Sequence, residues 1–570
     1  MGASAYGFGM LAPLLWRAGL GISWQAVLVA GIALAGGAAV LGVARWLLGK
    51  FPLLFIKHAR RYDVAMAGLL LMAPLLFYSR HAFVVLPPGE LAFPAPSSAE
   101  KLLPEGAPFL VVLITVDTLR RDHLSLYGYP HNTSPNVDRF FHRGVIFENA
   151  VTPKTLTAPA VASILTGVYP RRHHVFTNGQ HLADWAVTMA EKFQGAGFCT
   201  GAFVSNILLY HPSYKFSQGF QRFVKFDEAL LATSYDEARR IVTQALRFMK
   251  EQSGPCFVWL HFMEPHDPYT PPAPYDTMFF VDAPYTPLKL SEGQKQRLLG
   301  HALWESVPED LASNPHRWQA LYDGEIRYLD SQMAPLFDYL ETQPQALVVF
   351  TADHGETMDE HRPVFDHGYD CYDACARVPL FFRYATLSGP RRMEHLVSTV
   401  DIAPTLYAGA GLAPAPHLDG RNLWPLLQGK TSSPDVPVVW IEGARATRHT
   451  QYAARTLEWK LVMEPLLWFR FADAVAGLRF LSMFDWPRTM DYALRSYRSR
   501  VYHLTLDPDE QVDVIDQHPE TAHRLRTALT AWLKQTSRYR PAFEPPGEPI
   551  STQDLSPQEI EILKSHGYLR

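Results

Sequence analysis

Short apolar runs alternate with helical stretches along the chain from residue 109 onward. Four of these runs carry at most one polar residue: Leu110–Val116, Gly201–Val204, Phe257–Leu260 and Ala346–Phe350. Runs of this length that are apolar on both faces are typical of buried strands in a parallel sheet. Helical periodicity covers residues 188–193, 235–252, 317–341 and 400–410. The pattern predicts an α/β fold in which helices flank a mostly parallel sheet.

The pattern changes after about residue 437, where short strands with alternating apolar and polar positions follow one another. They cover Val438–Ile441, Tyr452–Arg455, Trp459–Val462 and Arg500–Leu504, and residues 521–535 have the periodicity of a closing helix. Alternation with a period of two favours antiparallel strands with one solvated face. We therefore expect an α/β domain over residues 109–436 and a small C-terminal antiparallel subdomain with a tail over residues 437–570.

Two long apolar segments precede the α/β pattern. Residues 26–44 are almost wholly apolar, and residues 64–86 are interrupted only by Ser79, Arg80 and His81. Each approaches the roughly 20 residues that span a bilayer, and a cleaved signal peptide fits two such segments poorly. The loop between them is basic, so the positive-inside rule places it in the cytoplasm. We therefore expect transmembrane helices within residues 1–86, a cell-membrane location, a linker over residues 87–108, and a catalytic domain on the periplasmic or extracellular side.

Composition and charge indicate which partners and which covalent cross-links to expect. The formal net charge is −4 and no basic arm is present, so we expect no nucleic-acid partner. Four cysteines are too few for a disulfide framework in a chain of 570 residues. Cys371 and Cys375 stand four positions apart on a predicted helix, where bridge geometry is rarely met, and we expect all the cysteines to be free.

Polar side chains follow the predicted strands at their carboxyl ends. Asp117 follows the first strand, Asn206 the second, His261 and His266 the third, and Asp353 with His354 the fourth. In open α/β sheets, ligands bind beyond the carboxyl ends of the strands. One polar ending is commonplace, but four together predict a functional site.

A loop that runs into a helix adds a hydroxyl to this set. Thr157 stands at the predicted N-cap, Pro159 lies in the first turn, and residues 160–165 are good helix formers. A hydroxyl there faces unpaired backbone N–H groups and the positive end of the helix dipole, which stabilise an alkoxide or a bound phosphate or sulfate. A capping role is the alternative for a single threonine, and the neighbouring strand ends favour the functional interpretation.

Asp117, Asp353, His354 and the Thr157 oxygen form a ligand set for one divalent cation. Two carboxylates and an imidazole suit Zn²⁺ or Mn²⁺, with Ca²⁺ and Mg²⁺ as the less favoured alternatives. The cation and the helix N-terminus would both lower the pKa of the Thr157 hydroxyl, so Thr157 is the predicted nucleophile.

Histidines supply the remaining predicted roles. His266 and His367 are the predicted catalytic residues that protonate the leaving group or hold the ester oxygens. Asn206, His261 and His361 are the predicted substrate-binding residues. A surface or capping role is the alternative for each histidine taken alone.

Several motifs occur in one order over roughly residues 109–533: Val116–Tyr129, Thr133–Asp138, Thr157–Pro159, Leu165–Gly167, His261–Tyr269, Ala352–Glu356, Phe365–Gly368, Arg377–Pro379, Val400–Thr405 and Leu418–Gly420. In these motifs the chain resembles the sulfatase branch of the alkaline phosphatase superfamily. The resemblance implies an alkaline-phosphatase-like fold, a divalent cation and chemistry at an ester bond.

The chain also departs from that pattern. Sulfatases carry a Cys or Ser that is converted to an aldehyde where this chain has Thr157, and the usual Arg four positions later is Val161 here. The second Asp of the usual metal-binding pair is Thr118. The remaining set is similar to membrane-anchored phosphoethanolamine and lipoteichoic-acid transferases, which use a threonine nucleophile.

The resemblance and its departures together lead to one hypothesis. The protein is expected to be a membrane-anchored, metal-dependent hydrolase or transferase that cleaves phosphate (or sulfate) esters through a covalent Thr157 intermediate. Its expected partners are the membrane and an ester substrate carried by a lipid or a cell-envelope glycan. The alternatives are a sulfatase that works without the aldehyde and an inactive family member that binds a ligand.

Overall fold

The structure of the protein is a computed structural model. It describes residues 107–225, 237–281, 283–285, 287–290, 294–295, 298, 313–361, 364–387, 389–430, 438–445, 448–465 and 497–536.

The large sheet has nine strands within these residues, in the order β4-β3-β5-β1-β6-β8-β2-β7, with β9 paired to β2. The strands are β1 Leu110–Val116, β2 Val145–Val151, β3 Cys199–Val204, β4 Arg222–Lys225, β5 Cys256–Phe262, β6 Ala346–Ala352, β7 Arg377–Val378, β8 Leu380–Arg383 and β9 Arg391–Ser398. Strands β4, β3, β5, β1 and β6 run parallel to one another. The antiparallel pairings lie on the far side, where β8 pairs with β6 and β2 pairs with β8 and β7.

The predicted parallel sheet is confirmed at its centre. Strands β1, β5 and β6 are buried along their whole length, because helices cover both faces of the sheet. The sequence pattern did not reveal β2, β4, β7, β8 or β9. In β9 the first half alternates between partly exposed and exposed positions, which removes the continuous apolar signal that marks a central strand.

The α-helices of the described residues are α1 Pro135–Phe141, α2 Thr157–Thr166, α3 Pro170–His173, α4 Met189–Gly195, α5 Ile207–Tyr210, α6 Glu237–Glu251, α7 Pro315–Glu341, α8 Asp373–Ala376, α9 Ile402–Gly409, α10 Trp424–Leu427 and α11 Pro519–Thr536. Short 3₁₀ helices occur at Arg121–His123, Ser125–Tyr127, Pro212–Tyr214 and Thr399–Asp401. The four helices predicted from periodicity are present, with boundaries shifted by a few residues.

A second sheet follows in the chain, as the alternating pattern predicted. Its four strands pair antiparallel in chain order: β10 Val439–Arg445, β11 Arg448–Arg455, β12 Trp459–Pro465 and β13 Tyr497–His503. Helix α11 packs its apolar side on this sheet, with Leu525, Leu529 and Leu533 in the same buried cluster as Leu461.

The helices of the described residues contradict the predicted location in the cell membrane. Within the described residues, none of them combines the length and the apolar character that a bilayer span requires. The prediction of a multi-pass membrane protein is therefore wrong for the part of the chain that the structure describes. The two apolar segments on which it was based, 26–44 and 64–86, lie outside the described residues, as does nearly all of the predicted linker.

The cysteines are free, as expected. Cys199 and Cys256 face each other on adjacent strands β3 and β5. Cys371 precedes α8 and Cys375 lies within it, so they are not both on one helix as the sequence suggested.

A buried charged cluster joins the second sheet to the segment around α8. Asp373, the first residue of α8, accepts hydrogen bonds from Arg455 and from Lys460 Nζ, the latter at 2.6 Å. Lys460 Nζ also lies 3.0 Å from Glu510 Oε1. Lys460 is 0% exposed. Its charge offsets the repulsion between the two carboxylates, which water cannot screen at this buried position.

We expect Lys460→Met to lower the free energy of unfolding by about 3–5 kcal/mol, because it leaves these two buried carboxylates without their shared cation. Urea denaturation of the variant and the wild type measures this difference. Lys289→Met, at an exposed position, is the control and should change stability by about 0.5 kcal/mol or less. Equal unfolding midpoints for Lys460→Met and the wild type would contradict the importance of the cluster.

Candidate active site

Strand order explains why the polar residues meet. Strands β3, β5, β1 and β6 are consecutive neighbours in the sheet, and all are parallel, so their carboxyl ends share one edge. Val116 is paired with Ala352, which puts the following residues, Asp117 and Asp353, side by side. His261 lies on the next strand, opposite Thr115.

Asp117, Asp353 and His354 form the buried centre of the site, and each is 0% exposed. His354 Nε2 lies 3.7 Å from Asp117 Oδ1 and 3.6 Å from Asp353 Oδ2. His354 Nδ1 lies 2.9 Å from the Gly355 carbonyl, so Nδ1 carries the proton and Nε2 presents its lone pair to the carboxylates. Burial lowers the pKa of His354 to about 4, so this imidazole is neutral at neutral pH.

Thr157 is brought to the same point. Its Oγ1 lies 3.4 Å from His354 Nε2, and the residue is 0% exposed. The N-cap is Leu156 rather than Thr157, which is the first residue of α2, so the predicted capping position is corrected by one residue. The hydroxyl therefore projects from the first turn instead of bonding to it.

The backbone donors at this helix end are fewer than the sequence suggested. The Ala158 N–H donates to Asn178 Oδ1 at 2.9 Å, Pro159 has no N–H, and the Ala160 N–H donates to the Leu156 carbonyl at 3.0 Å. The helix end acts on Thr157 mainly through its dipole, because most of its first-turn N–H groups are used or missing.

The carboxylates fit a divalent cation. Asp117 Oδ1 and Asp353 Oδ2 are buried and have no hydrogen-bond partner, whereas Asp353 Oδ1 accepts from the N–H groups of His354 at 2.7 Å and Thr118 at 3.3 Å. Burial, and then the charge of Asp117, raise the pKa of Asp353 well above its usual value. Two buried carboxylates that repel each other and keep unused oxygens are the environment that a cation would stabilise.

His266 and His367 lie next to this centre. The His367 ring is 4.6 Å from the His354 ring and 5.0 Å from the His266 ring, centroid to centroid. His266 Nδ1 lies 2.8 Å from Asp267 Oδ1. Burial acts to lower the pKa of His266, but the charge and hydrogen bond of Asp267 outweigh it and raise the value to about 9. His266 therefore carries a proton at neutral pH.

The three predicted substrate-binding residues are placed differently from one another. Asn206 is the N-cap of α5 and its Nδ2 donates to Asp117 Oδ2 at 2.7 Å, so it holds a carboxylate of the site. His261 lies inside β5 rather than after it, with Nε2 3.6 Å from Asp117 Oδ2. His361 stacks on Tyr372 at 3.7 Å between ring centroids, and Tyr372 belongs to the core beneath the second sheet. The structure therefore groups His361 with that sheet and not with the carboxylates.

Two further residues shape the site, although the sequence motifs that contain them assigned them no role in it. Glu356 is 0% exposed, and its Oε1 lies 3.3 Å from His367 Nδ1, so it orients that ring. Thr118 has a φ of 51°, a left-handed conformation that is rare for a β-branched residue, and this directs its N–H toward Asp353. The position of Glu356, two residues after His354 in a strand-end loop, was the available signal. For Thr118 the available signal was that it replaces the second Asp of the usual sulfatase metal-binding pair.

The family comparison and the fold agree with membership of the alkaline phosphatase superfamily, to which the sulfatases belong. The sulfatase family model matches residues 110–412, more than half of the chain, and the chain belongs to that family. It is a hydrolase of ester bonds, in the class that acts on sulfate or phosphate esters.

Individual relatives agree with this assignment. The chain is 26% identical to the uncharacterized sulfatase YidJ of Escherichia coli over 55% of its own length and 70% of that protein. It is 24% identical to the multifunctional alkaline phosphatase superfamily protein PehA of Trinickia caryophylli, over 56% of its own length and 78% of that protein. Among solved structures, the phosphonate monoester hydrolase of Agrobacterium radiobacter matches 75% of this chain and 96% of its own, with a TM-score of 0.58 and 22% identity, which supports the fold.

Proposed function

We propose that this protein cleaves phosphate (or sulfate) esters through a covalent intermediate on Thr157, with one divalent cation held by Asp117, Asp353, His354 and Thr157. The observation that carries the proposal is the position of the Thr157 hydroxyl. It is buried at the start of α2 and lies 3.4 Å from the lone-pair nitrogen of His354, beside two carboxylates with unused oxygens. A threonine with only a structural role does not require a buried hydroxyl beside an imidazole nitrogen and unused carboxylate oxygens.

The ligand set favours Zn²⁺ or Mn²⁺, since it combines two carboxylates with an imidazole. When bound, the cation stabilises negative charge on the Thr157 oxygen and on the ester oxygens. The chain supplies the other parts. Asn206 holds Asp117 in place through its amide, and the Gly355 carbonyl holds the His354 ring.

The reaction divides into two steps. The Thr157 hydroxyl loses its proton to solvent and its oxygen forms a bond to phosphorus or sulfur. The bond from that centre to the leaving oxygen breaks, and the leaving oxygen takes a proton from a histidine. His266 and His367 are the proton donors, because their rings are adjacent and His266 is charged at neutral pH. Water, or an acceptor hydroxyl in a transfer reaction, then attacks the ester of Thr157 and restores the threonine.

The direct test is a substrate panel combined with intact mass measurement. Purified protein is incubated with Zn²⁺ or Mn²⁺ and with an aryl phosphate, an aryl phosphodiester, an aryl sulfate, a phospholipid with a phosphodiester head group and a sulfated glycan. We expect turnover of at least one phosphate ester and a mass increase on the peptide that contains Thr157. Turnover without an adduct under rapid quench would favour attack by water, and turnover of sulfate esters alone would favour the sulfatase alternative.

Glu356→Gln tests the role given to His367. The change keeps the shape of the side chain and removes the charge that faces His367 Nδ1, so we expect kcat to fall about 10-fold or more while metal content stays unchanged. The measurements are kcat on the best panel substrate and elemental analysis. Glu325→Gln is the matched control, because Glu325 is also buried but accepts from the backbone N–H of Thr270. Equal kcat in Glu356→Gln and the wild type would contradict the role of Glu356 in orienting His367.

A further inference from the structure

His261 is a buried histidine with one ring nitrogen bonded and the other not. Its Nδ1 lies 2.8 Å from Thr115 Oγ1, whereas its Nε2 has no hydrogen-bond partner, and the side chain is 0% exposed. A buried polar atom left unsatisfied destabilises the fold, and such atoms in folded proteins call for an explanation.

Hydrogen bonds around Thr115 are compatible with the His261 tautomer that a cation ligand needs. Thr115 Oγ1 accepts from Trp259 Nε1 at 2.9 Å and lies 3.3 Å from the Leu260 carbonyl, to which it can donate its single proton. In that arrangement the imidazole donates the 2.8 Å contact from Nδ1 to Thr115 Oγ1, because the hydroxyl has no second proton. Nε2 then presents a lone pair to the site.

That lone pair points at acceptors and not at donors. Asp117 Oδ2, at 3.6 Å, already accepts from Asn206, and the distance is too long for a hydrogen bond. One donor atom from each of Asp117, His261 and Asp353 lies within 4.8 Å of the other two. His261 and His354 approach opposite oxygens of the Asp117 carboxylate. Carboxylate oxygens and an imidazole nitrogen that lie this close together are stabilised when a cation binds among them.

We propose that His261 is a ligand of the divalent cation, in addition to the four residues named above, and that Thr115 and Trp259 hold its ring in the binding orientation. The inference rests on the proposed function and makes it more specific. It replaces the substrate-binding role expected from the sequence, because an Nε2 lone pair cannot donate a hydrogen bond to an anionic ester oxygen.

The test uses Mn²⁺ as the probe on the full chain after chelator treatment. Pulsed electron paramagnetic resonance counts the histidine nitrogens coupled to Mn²⁺, and competition with a fluorescent chelator gives the affinity. We expect two coupled nitrogens in the wild type and one in each of His261→Ala and His354→Ala. Mn²⁺ affinity in His261→Ala should fall by at least the 10- to 100-fold that loss of an outer partner costs.

Two further variants keep the test decisive. Thr115→Val should weaken Mn²⁺ binding about 10- to 100-fold and keep both nitrogen couplings, because it removes only the orienting hydroxyl. His173→Ala is the matched control: His173 is buried, but its ring nitrogens are bonded to Ser163 Oγ at 2.9 Å and to the Val175 N–H at 3.1 Å. It should bind Mn²⁺ as the wild type does.

Unchanged affinity and two couplings in His261→Ala would overturn the role of His261 and leave the proposed function intact. If His261→Ala binds no Mn²⁺, Thr115→Val decides, and wild-type affinity in that variant would overturn the proposal. A wild type that binds no Mn²⁺, Zn²⁺ or Co²⁺ would overturn the proposed function as well.

Discussion

Thr157→Ala is expected to lower kcat by about 10³–10⁶-fold, the range seen when a covalent nucleophile is removed from an enzyme that keeps its other groups. The physical reason is that the variant loses both the proposed nucleophile and one of the proposed cation ligands. Asp117, Asp353 and His354 remain, and so does the dipole of α2, so the affinity for the substrate should change little. Turnover on the best panel substrate, with binding of a product analogue by calorimetry, separates the two effects.

Two variants control this result. Thr157→Ser keeps the hydroxyl and should retain appreciable activity. Thr155→Val removes a nearby hydroxyl in the same loop. Thr155 Oγ1 donates to the Asp370 carbonyl at 2.8 Å, so this change should cost about 1 kcal/mol of stability and little activity. If Thr155→Val is inactive and Thr157→Ala works normally, the nucleophile has been misassigned. If both variants keep wild-type turnover, the covalent mechanism is wrong.

Asp353→Asn and His354→Ala are expected to abolish stoichiometric metal binding while the fold is kept. The two residues follow the end of β6, where their side chains contribute to the site more than to the core. Asp353→Asn should also make the metal-free protein more stable than the metal-free wild type. It removes one of two facing buried carboxylates, while its amide oxygen can still accept from the N–H groups of His354 and Thr118.

Elemental analysis and thermal melts with and without added metal measure both effects. The wild type should gain stability on addition of the metal, and Asp353→Asn should not. Asp330→Asn is the matched control, since Asp330 is a buried carboxylate that accepts from the N–H groups of Asn136 and Val137, at 3.0 and 2.9 Å to its Oδ1. Wild-type metal stoichiometry in both Asp353→Asn and His354→Ala would mean that the cation binds elsewhere.

The sequence alone predicted the parts of the fold whose signal is local. Leu110–Val116 is a strand with the expected bounds, because a continuous apolar run can be satisfied only where both faces of a strand are covered. The same logic found Asp117, Asp353 and His354, since polar residues that directly follow buried strands collect at one edge of a parallel sheet. The alternating pattern after residue 437 likewise predicted the second sheet.

Tertiary structure decided which of those residues face one another. His261 and His361 had equal standing as predicted substrate ligands. Strand order put His261 beside Asp117, whereas His361 packs on Tyr372 under the second sheet. The sequence predicted that the N–H groups at the start of α2 are free to bind an anion. In the structure one of them, the Ala158 N–H, donates to Asn178 Oδ1. Glu356 can orient His367 only because the loop between them folds back and brings the two side chains together.

The physical reason for this division is the range of the interactions. Apolar periodicity records how a segment meets the core, and that depends on its own residues. Hydrogen-bond partners, charge repulsion and the geometry of a cation site depend on atoms that are hundreds of positions apart in the chain, such as Asp117 and Asp353. They are determined by sheet order and register, and a single sequence carries no direct record of either.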